Sequence, residues 1–233
     1  MPETRRVFIA DGDAMVLSTD KLLRILKQLR NRLPRLSRVS AYATPMNFAR
    51  KSDNELQSLK EAGLTLIYVG VESGDNEVLK RIDKGCDSTL MIKQCKRAQK
   101  AGMALSITVI LGLAGPKLSE RHALETARVL DAISPKYASA LTLMLEPRTP
   151  NFEEAWGDPE WRMLTPIEIL AECRVMIANM NANKVIFHAN HASNYLPLSG
   201  VLQKDKARLL AMIDNVLDNP KTAHLRPEFM RGL

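Results

Sequence analysis

Two carboxylates flank a single glycine at Asp11-Gly12-Asp13, directly after the apolar run Val7–Ala10. An ionised carboxylate only accepts hydrogen bonds, so the pair suits a metal, an ammonium group or ribose hydroxyls, and the glycine lets a ligand approach the backbone. An Asx-turn leading from strand to helix is the plainer use of the same residues. Glu72 closes the run Leu-Ile-Tyr-Val-Gly-Val. A carboxylate there is half-buried and needs a ligand or a structural partner, for which Arg81 and Lys84 are the candidates. Gly112-Leu113-Ala114-Gly115 puts small residues where a flat ring could lie on backbone, or makes a turn. His188 and His191 have a metal-like spacing, yet no matching third ligand lies nearby, which favours loop hydrogen bonding by His188, Asn190, His191 and Asn194. Neither a nucleophile elbow nor a Ser-His-Asp order is visible.

These residues need a scaffold, and the chain supplies a strand–helix rhythm. Strands are expected to start near 7, 38, 64, 103, 137 and 184, with helices between them. The helices are expected near 22–33, 53–62, 77–82, 88–100, 119–132, 165–181 and 204–217. Thr165-Pro166 with Glu168 has the spacing of a capping box. Pro147, Pro150 and Pro159 break regular structure and leave a loop of some 20 residues after the fifth strand. Alternation of this kind predicts right-handed βαβ units and a parallel sheet, as an α/β barrel or part-barrel over one domain, 1–233. The Gly-x-Gly-x-x-Gly loop usual in a doubly wound fold is absent. Functional residues then collect at the carboxyl ends of strands, where Asp11, Asp13, Glu72 and the 112–115 glycines stand. Met15, Met46, Met91, Met103 and Met144 fall on apolar segments and read as core.

Composition narrows the class. With 45% hydrophobic and 25% charged residues in 233, disorder and fibrous structure are excluded. No run is apolar enough for a membrane helix, and no signal-type stretch follows the N-terminus, so a cytoplasmic protein without membrane contact is expected. Cys86, Cys95 and Cys173 are too few and scattered for a disulfide framework or a structural zinc site. The net charge of +7 is local: residues 1–51 hold 11 Lys/Arg against 4 Asp/Glu, and the remainder is balanced. Arg24, Lys27, Arg30, Arg32, Arg35 and Arg38 interleave with leucines at helical spacing, which describes a solvated helix face or a surface for RNA.

Residues 68–85, Tyr-Val-Gly-Val-Glu-Ser-Gly-Asp-Asn-Glu-Val-Leu-Lys-Arg-Ile-Asp-Lys-Gly, resemble the fourth-strand signature of radical S-adenosylmethionine (radical SAM) enzymes, especially oxygen-independent coproporphyrinogen oxidases and methylthiotransferases. Val-Phe-Ile-Ala-Asp-Gly-Asp-Ala resembles that superfamily's second-strand motif, and Ile107–Gly115 its fifth-strand segment. The likeness covers residues 7–150, with 151–233 as an extension. It implies S-adenosylmethionine as cofactor. Asp13 would bind the amino group, with Asp11 and Gly12 shaping the loop. Glu72, beside Ser73, would contact the ribose or aminocarboxylate, and backbone around Ile110, Gly112 and Leu145 would flank adenine. The chemistry implied is one-electron cleavage to a 5′-deoxyadenosyl radical that abstracts hydrogen from a substrate of unspecified class.

One part of the family pattern is missing. Its 4Fe-4S cluster is held by Cys-x-x-x-Cys-x-x-Cys after the first strand, and no such motif occurs in this sequence. Truncation of a longer enzyme is the expectation, with natural degeneracy second. Val7–Ala10 would then form an exposed sheet edge prone to self-association. The rival readings are an RNA-associated module using the basic first helix, and a metal-dependent barrel hydrolase or lyase using Asp11, Asp13, Glu72 and His188.

Overall fold

The computed structural model describes residues 3–10, 12–145 and 152–232, excluding the side chains of Glu153 and Ala155. Seven strands form one sheet in sequence order: β1 (Arg6–Ile9), β2 (Arg38–Ala43), β3 (Leu64–Glu72), β4 (Ala104–Leu111), β5 (Tyr137–Thr142), β6 (Ile186–Ala189) and β7 (Leu198–Val201). β1–β2, β2–β3 and β5–β6 pair in parallel, as the crossover helices require, while β6–β7 is antiparallel. The α/β expectation holds, and the six expected strands start within two residues of their assigned positions.

The helices are α1 (Thr19–Arg32), α2 (Pro45–Ala49), α3 (Asp53–Glu61), α4 (Asn76–Arg81), α5 (Ser88–Lys100), α6 (Gly115–Ile133), α7 (Phe152–Trp156), α8 (Pro166–Asn179) and α9 (Lys206–Asp218). Three elements escape the sequence reading: α2, α7 and β7. α7 falls inside the stretch expected to be one long loop, and Trp156 packs there against Trp161 with ring centroids 5.8 Å apart. α6 begins four residues earlier than expected, so Gly115 opens a helix instead of closing a loop.

The chain divides into two compact units, residues 1–70 with 89–107 and residues 71–88 with 108–233. In the first, Leu22, Leu26, Leu56 and Leu59 of α1 and α3 are fully buried, as are Ile67 and Val69 of β3. Period-two alternation puts Phe8, Tyr42 and Tyr68 on the opposite strand face. These three rings form an edge-to-face cluster with centroids 4.8–6.0 Å apart, and Phe8 and Tyr42 stay substantially exposed. In the second unit, α6, α8 and α9 bury Ala127, Leu130, Cys173, Ile177, Leu209 and Ile213. Met15, Met91 and Met103 are core as expected. Met46 and Met144 are only half-buried, because each sits near a strand end.

Candidate functional site

Asp11 lies outside the described residues. Its neighbour Asp13 follows β1 in the first unit, and Asn47 Nδ2 donates to Asp13 Oδ2 at 3.0 Å. Asn47 is itself oriented by the capping box that starts α2: its Oδ1 accepts from Thr44 N at 2.5 Å and from Thr44 Oγ1 at 3.0 Å. With its oxygen fixed there, the amide presents its NH₂ to the aspartate. Arg97 fixes the following turn by donating to Phe48 O at 2.9 Å and Lys51 O at 2.7 Å. Asp13 Oδ1 is buried with no hydrogen-bond partner. A carboxylate oxygen in that state is costly unless a donor is supplied, and a ligand ammonium would supply one.

In the second unit β3 ends in a strained turn. Ser73 N donates to Val71 O at 2.8 Å, and the residue between them, Glu72, has φ = 62°. A three-residue turn with a non-glycine residue on the left-handed side is rare, and such strain concentrates at functional sites. Glu72 Oε1 accepts from Lys84 Nζ at 3.0 Å, so the structural partner named in the sequence reading is present. Arg81 is engaged elsewhere, by Glu77 and by the carbonyl of Trp156.

Ser73, Ile110 and Gly112 meet through residues that the sequence reading did not select. His122 Nδ1 lies 2.8 Å from Ser73 Oγ, and His122 Nε2 lies 3.1 Å from Ile110 O. Because a carbonyl only accepts, Nε2 carries the proton and Ser73 donates to Nδ1. Glu172 of α8 accepts from Gly112 N at 2.7 Å and from Ser119 Oγ at 2.5 Å, and its Oε1 is 3.7 Å from His122 Nε2. Burial raises the Glu172 carboxyl above the ordinary range, against the pull of its two hydrogen-bond donors. Thr126 Oγ1 accepts from Gly74 N at 2.9 Å. Ser119, His122 and Thr126 thus form a polar row on the buried face of α6, spaced i, i+3, i+7. That spacing was visible in the sequence, hidden among the alanines and leucines of the same helix.

Gly112 and Gly115 each stand where a side chain would collide. Gly112 has φ = 80°, and a Cβ there would lie 2.5 Å from Ile169 Cδ1. At Gly115 a Cβ would enter the ring of Trp161. Ile169 and Trp161 thus fill the side of each glycine on which a side chain would stand. Leu145 is half-buried at the end of the described stretch.

Among the described residues His188 and His191 have no third ligand beside them. His191 Nδ1 bonds Ser193 Oγ at 3.1 Å within its own loop, and Asn194 ties that loop to β5 through Thr142 and Ala140. His188 departs from the expected loop bonding, since its Nδ1 is buried without a partner. Among the described residues no group of three or more His, Cys, Asp or Glu is placed to hold a metal ion.

A mostly parallel α/β sheet carries acceptors and a strained turn just beyond its strands. Residues 1–130 match the model of the Radical SAM superfamily, more than half of the chain, and the protein belongs to that superfamily. The heme chaperone HemW of Bacillus subtilis is 28% identical over 150 residues, 64% of this chain and 39% of the relative. Coproporphyrinogen III oxidase (HemN) of Escherichia coli, a radical SAM enzyme, superposes with a TM-score of 0.61 at 18% identity, covering 75% of this chain and 40% of that one. An N-terminally deleted Elp3 of Methanocaldococcus infernus gives 0.63 at 15% identity, covering 94% and 55%. These likenesses establish the fold as that of radical SAM (β/α) barrel proteins. The chain spans about two-fifths of the length of the curated relatives it matches.

Members of the superfamily bind S-adenosylmethionine and a 4Fe-4S cluster. The residues present fit the first and not the second. A cluster ligand is a low-pKa thiolate, whereas burial pushes the Cys173 thiol up to about 12 and the Cys86 thiol upward, and the three cysteines do not have the spacing of a cluster motif. Asp13, by contrast, holds a buried acceptor lacking a donor.

Proposed function

We propose that this chain is the S-adenosylmethionine-binding core of a cytoplasmic radical SAM protein, with the cluster ligands supplied by residues other than these 233. The observation that carries the reading is Asp13 Oδ1, buried without a partner at the end of β1. Asp13 takes the ammonium group, and Asn47 keeps the second oxygen occupied so that the first points to the ligand. Glu72 takes ribose hydroxyls when Lys84 yields, and the apolar strand-end segment at 110–112 with Leu145 flanks adenine. Isothermal titration with S-adenosyl-L-homocysteine tests it. Weak but saturable binding is expected, lowered at least tenfold in Asp13→Asn and in Glu72→Gln. Measurable binding that neither change alters would sink the assignment of these residues.

A second reading concerns cargo. The Bacillus relative is a heme chaperone, and exposed Phe8 and Tyr42, backed by half-buried Tyr68, offer an aromatic surface of the kind a planar macrocycle stacks on. Titration with hemin should shift its Soret band, and Phe8→Ala with Tyr42→Ala should abolish the shift. A shift that survives both substitutions places the macrocycle elsewhere. The RNA and metal-hydrolase alternatives gain no support from the superfamily assignment.

A further inference from the structure

The backbone at 110–112 is held from behind by a pair of buried ionisable residues that no strand-end motif contains. His122 is 2% exposed and Glu172 likewise 2%. Both are unusual in a helix interface, where an alanine or leucine would pack with no polar group to satisfy. Each of their polar atoms is spent on the strand ends or on the partner helix. His122 bridges Ser73 Oγ to Ile110 O, and Glu172 receives the Gly112 N–H and the Ser119 hydroxyl. Ser73 Oγ in turn accepts from Asp75 N at 3.0 Å, and Asp75 caps α4 by accepting from Glu77 N and Val78 N. The row runs from α8 through α6 into the turn beyond Glu72.

Two alternatives for this cluster fail on geometry. Ser73, His122 and Glu172 stand in the order of a nucleophile, base and orienting acid, but Ser73 is 0% exposed, so no substrate carbonyl reaches its oxygen. A cation site fails because both Glu172 oxygens already accept hydrogen bonds from fixed donors.

What remains is support. Gly112 sits at φ = 80° with a single N–H, and that N–H is committed to Glu172. It is therefore unavailable to adenine, and its role is to fix the carbonyl and amide directions of its neighbours. We propose that His122 and Glu172 are positioning residues for the nucleoside site, pre-forming the 110–112 segment and the Glu72–Ser73 turn as one rigid unit before ligand arrives. This rests on the S-adenosylmethionine reading above. A preformed segment spares the ligand the entropy of ordering two loops on binding. The arrangement asks for an acceptor at Glu172 and for an acceptor and a donor at His122, not for their charge.

That requirement sets the test. Wild type, Glu172→Leu, Glu172→Gln, His122→Leu, His122→Gln and Ser119→Ala are titrated with S-adenosyl-L-homocysteine, and the Gly112 amide is followed by 15N NMR and hydrogen exchange without ligand. Glu172→Gln keeps an amide oxygen for the Gly112 N–H while the Ser119 hydroxyl turns to accept from the amide N–H, and His122→Gln keeps one acceptor and one donor, so both should bind within threefold of wild type and keep Gly112 protected. The leucine variants should lose at least tenfold in affinity and lose Gly112 protection. Should a leucine variant lack a native circular dichroism spectrum, Ser119→Ala decides, with a loss of about threefold expected because one carboxylate oxygen is freed. Wild-type affinity in the folded leucine variants, or in Ser119→Ala, overturns the positioning role alone. Absence of binding by wild type overturns the cofactor reading and this role with it, and is recognised because no variant is then needed to see it.

Discussion

Gly74 shows how little room the turn after Glu72 has. A Cβ at that position would be driven into the backbone of Glu125 and Thr126 on α6, and backbone cannot rotate aside. Gly74→Ala should therefore cost about 3 kcal/mol or more, at the upper end of overpacking penalties, and lower the thermal midpoint by several degrees. A differential scanning measurement that finds less than about 1 kcal/mol would mean the helix moves freely away from the turn. The thiols give a second test at this scale. Cys95 and Cys173 are buried, and the Cys173 thiol is pushed up to about 12 by burial and the neighbouring Glu172, while Cys86 is half-exposed. Iodoacetamide at pH 8 should label Cys86 first and leave Cys95 and Cys173 unmodified until the protein unfolds, as peptide mass mapping over time would show.

The two capping boxes built on a glutamate, at α3 and α8, make a pH prediction for elements. At the start of α3, hydrogen bonds from Thr19 and then Ser52 hold Glu55 down to about 2, and at α8, Arg162 and then Thr165 hold Glu168 down to about 2. Both carboxyls ionise more readily folded than unfolded, so their contribution is full above about pH 4.5 and is lost as pH falls towards 2. Amide exchange in the first turns of α3 and α8 should accelerate over that window, and in Glu168→Gln the α8 response should vanish. The α8 box was legible from Thr165-Pro166 and Glu168. The box on α2 was not, since Asn47 replaces the usual Glu or Gln at the third position and the helix has only five residues. α7 is as short and lies among prolines. β7, Leu-Ser-Gly-Val, has little strand propensity of its own and owes its form to pairing with β6. The strand ends carrying Asp13, Glu72 and Gly112 were legible because an apolar run followed by a polar or glycine residue is a local pattern. His122 and Glu172 were not, because what marks them is contact across 50 residues of chain.

For the whole molecule, β1 stands at one end of the sheet order, with exposed Phe8 upon it. Among the described residues no strand pairs with its outer edge, which together with apolar side chains invites strand addition, and Arg5 and Arg6 only partly discourage it. Concentration-dependent association is expected in size-exclusion chromatography with light scattering, and Phe8→Lys should suppress it. A monomer at every concentration would refute the sticky edge. The far end of the chain behaves differently. Arg231, its side chain buried, donates to Ser193 O at 2.7 Å and to Leu143 O at 3.3 Å, and its guanidinium lies 4.1 Å over the Tyr195 ring. Arg226 adds bonds to the carbonyls of His191, Ala192 and Asn194. The segment just beyond β5 therefore waits for a residue synthesised 88 positions later. At about 5–20 residues per second a ribosome needs roughly 4–18 s to cover that distance. Throughout that interval the nascent second unit lacks the guanidinium that closes the seam between the segment after β5 and the loop around Ser193.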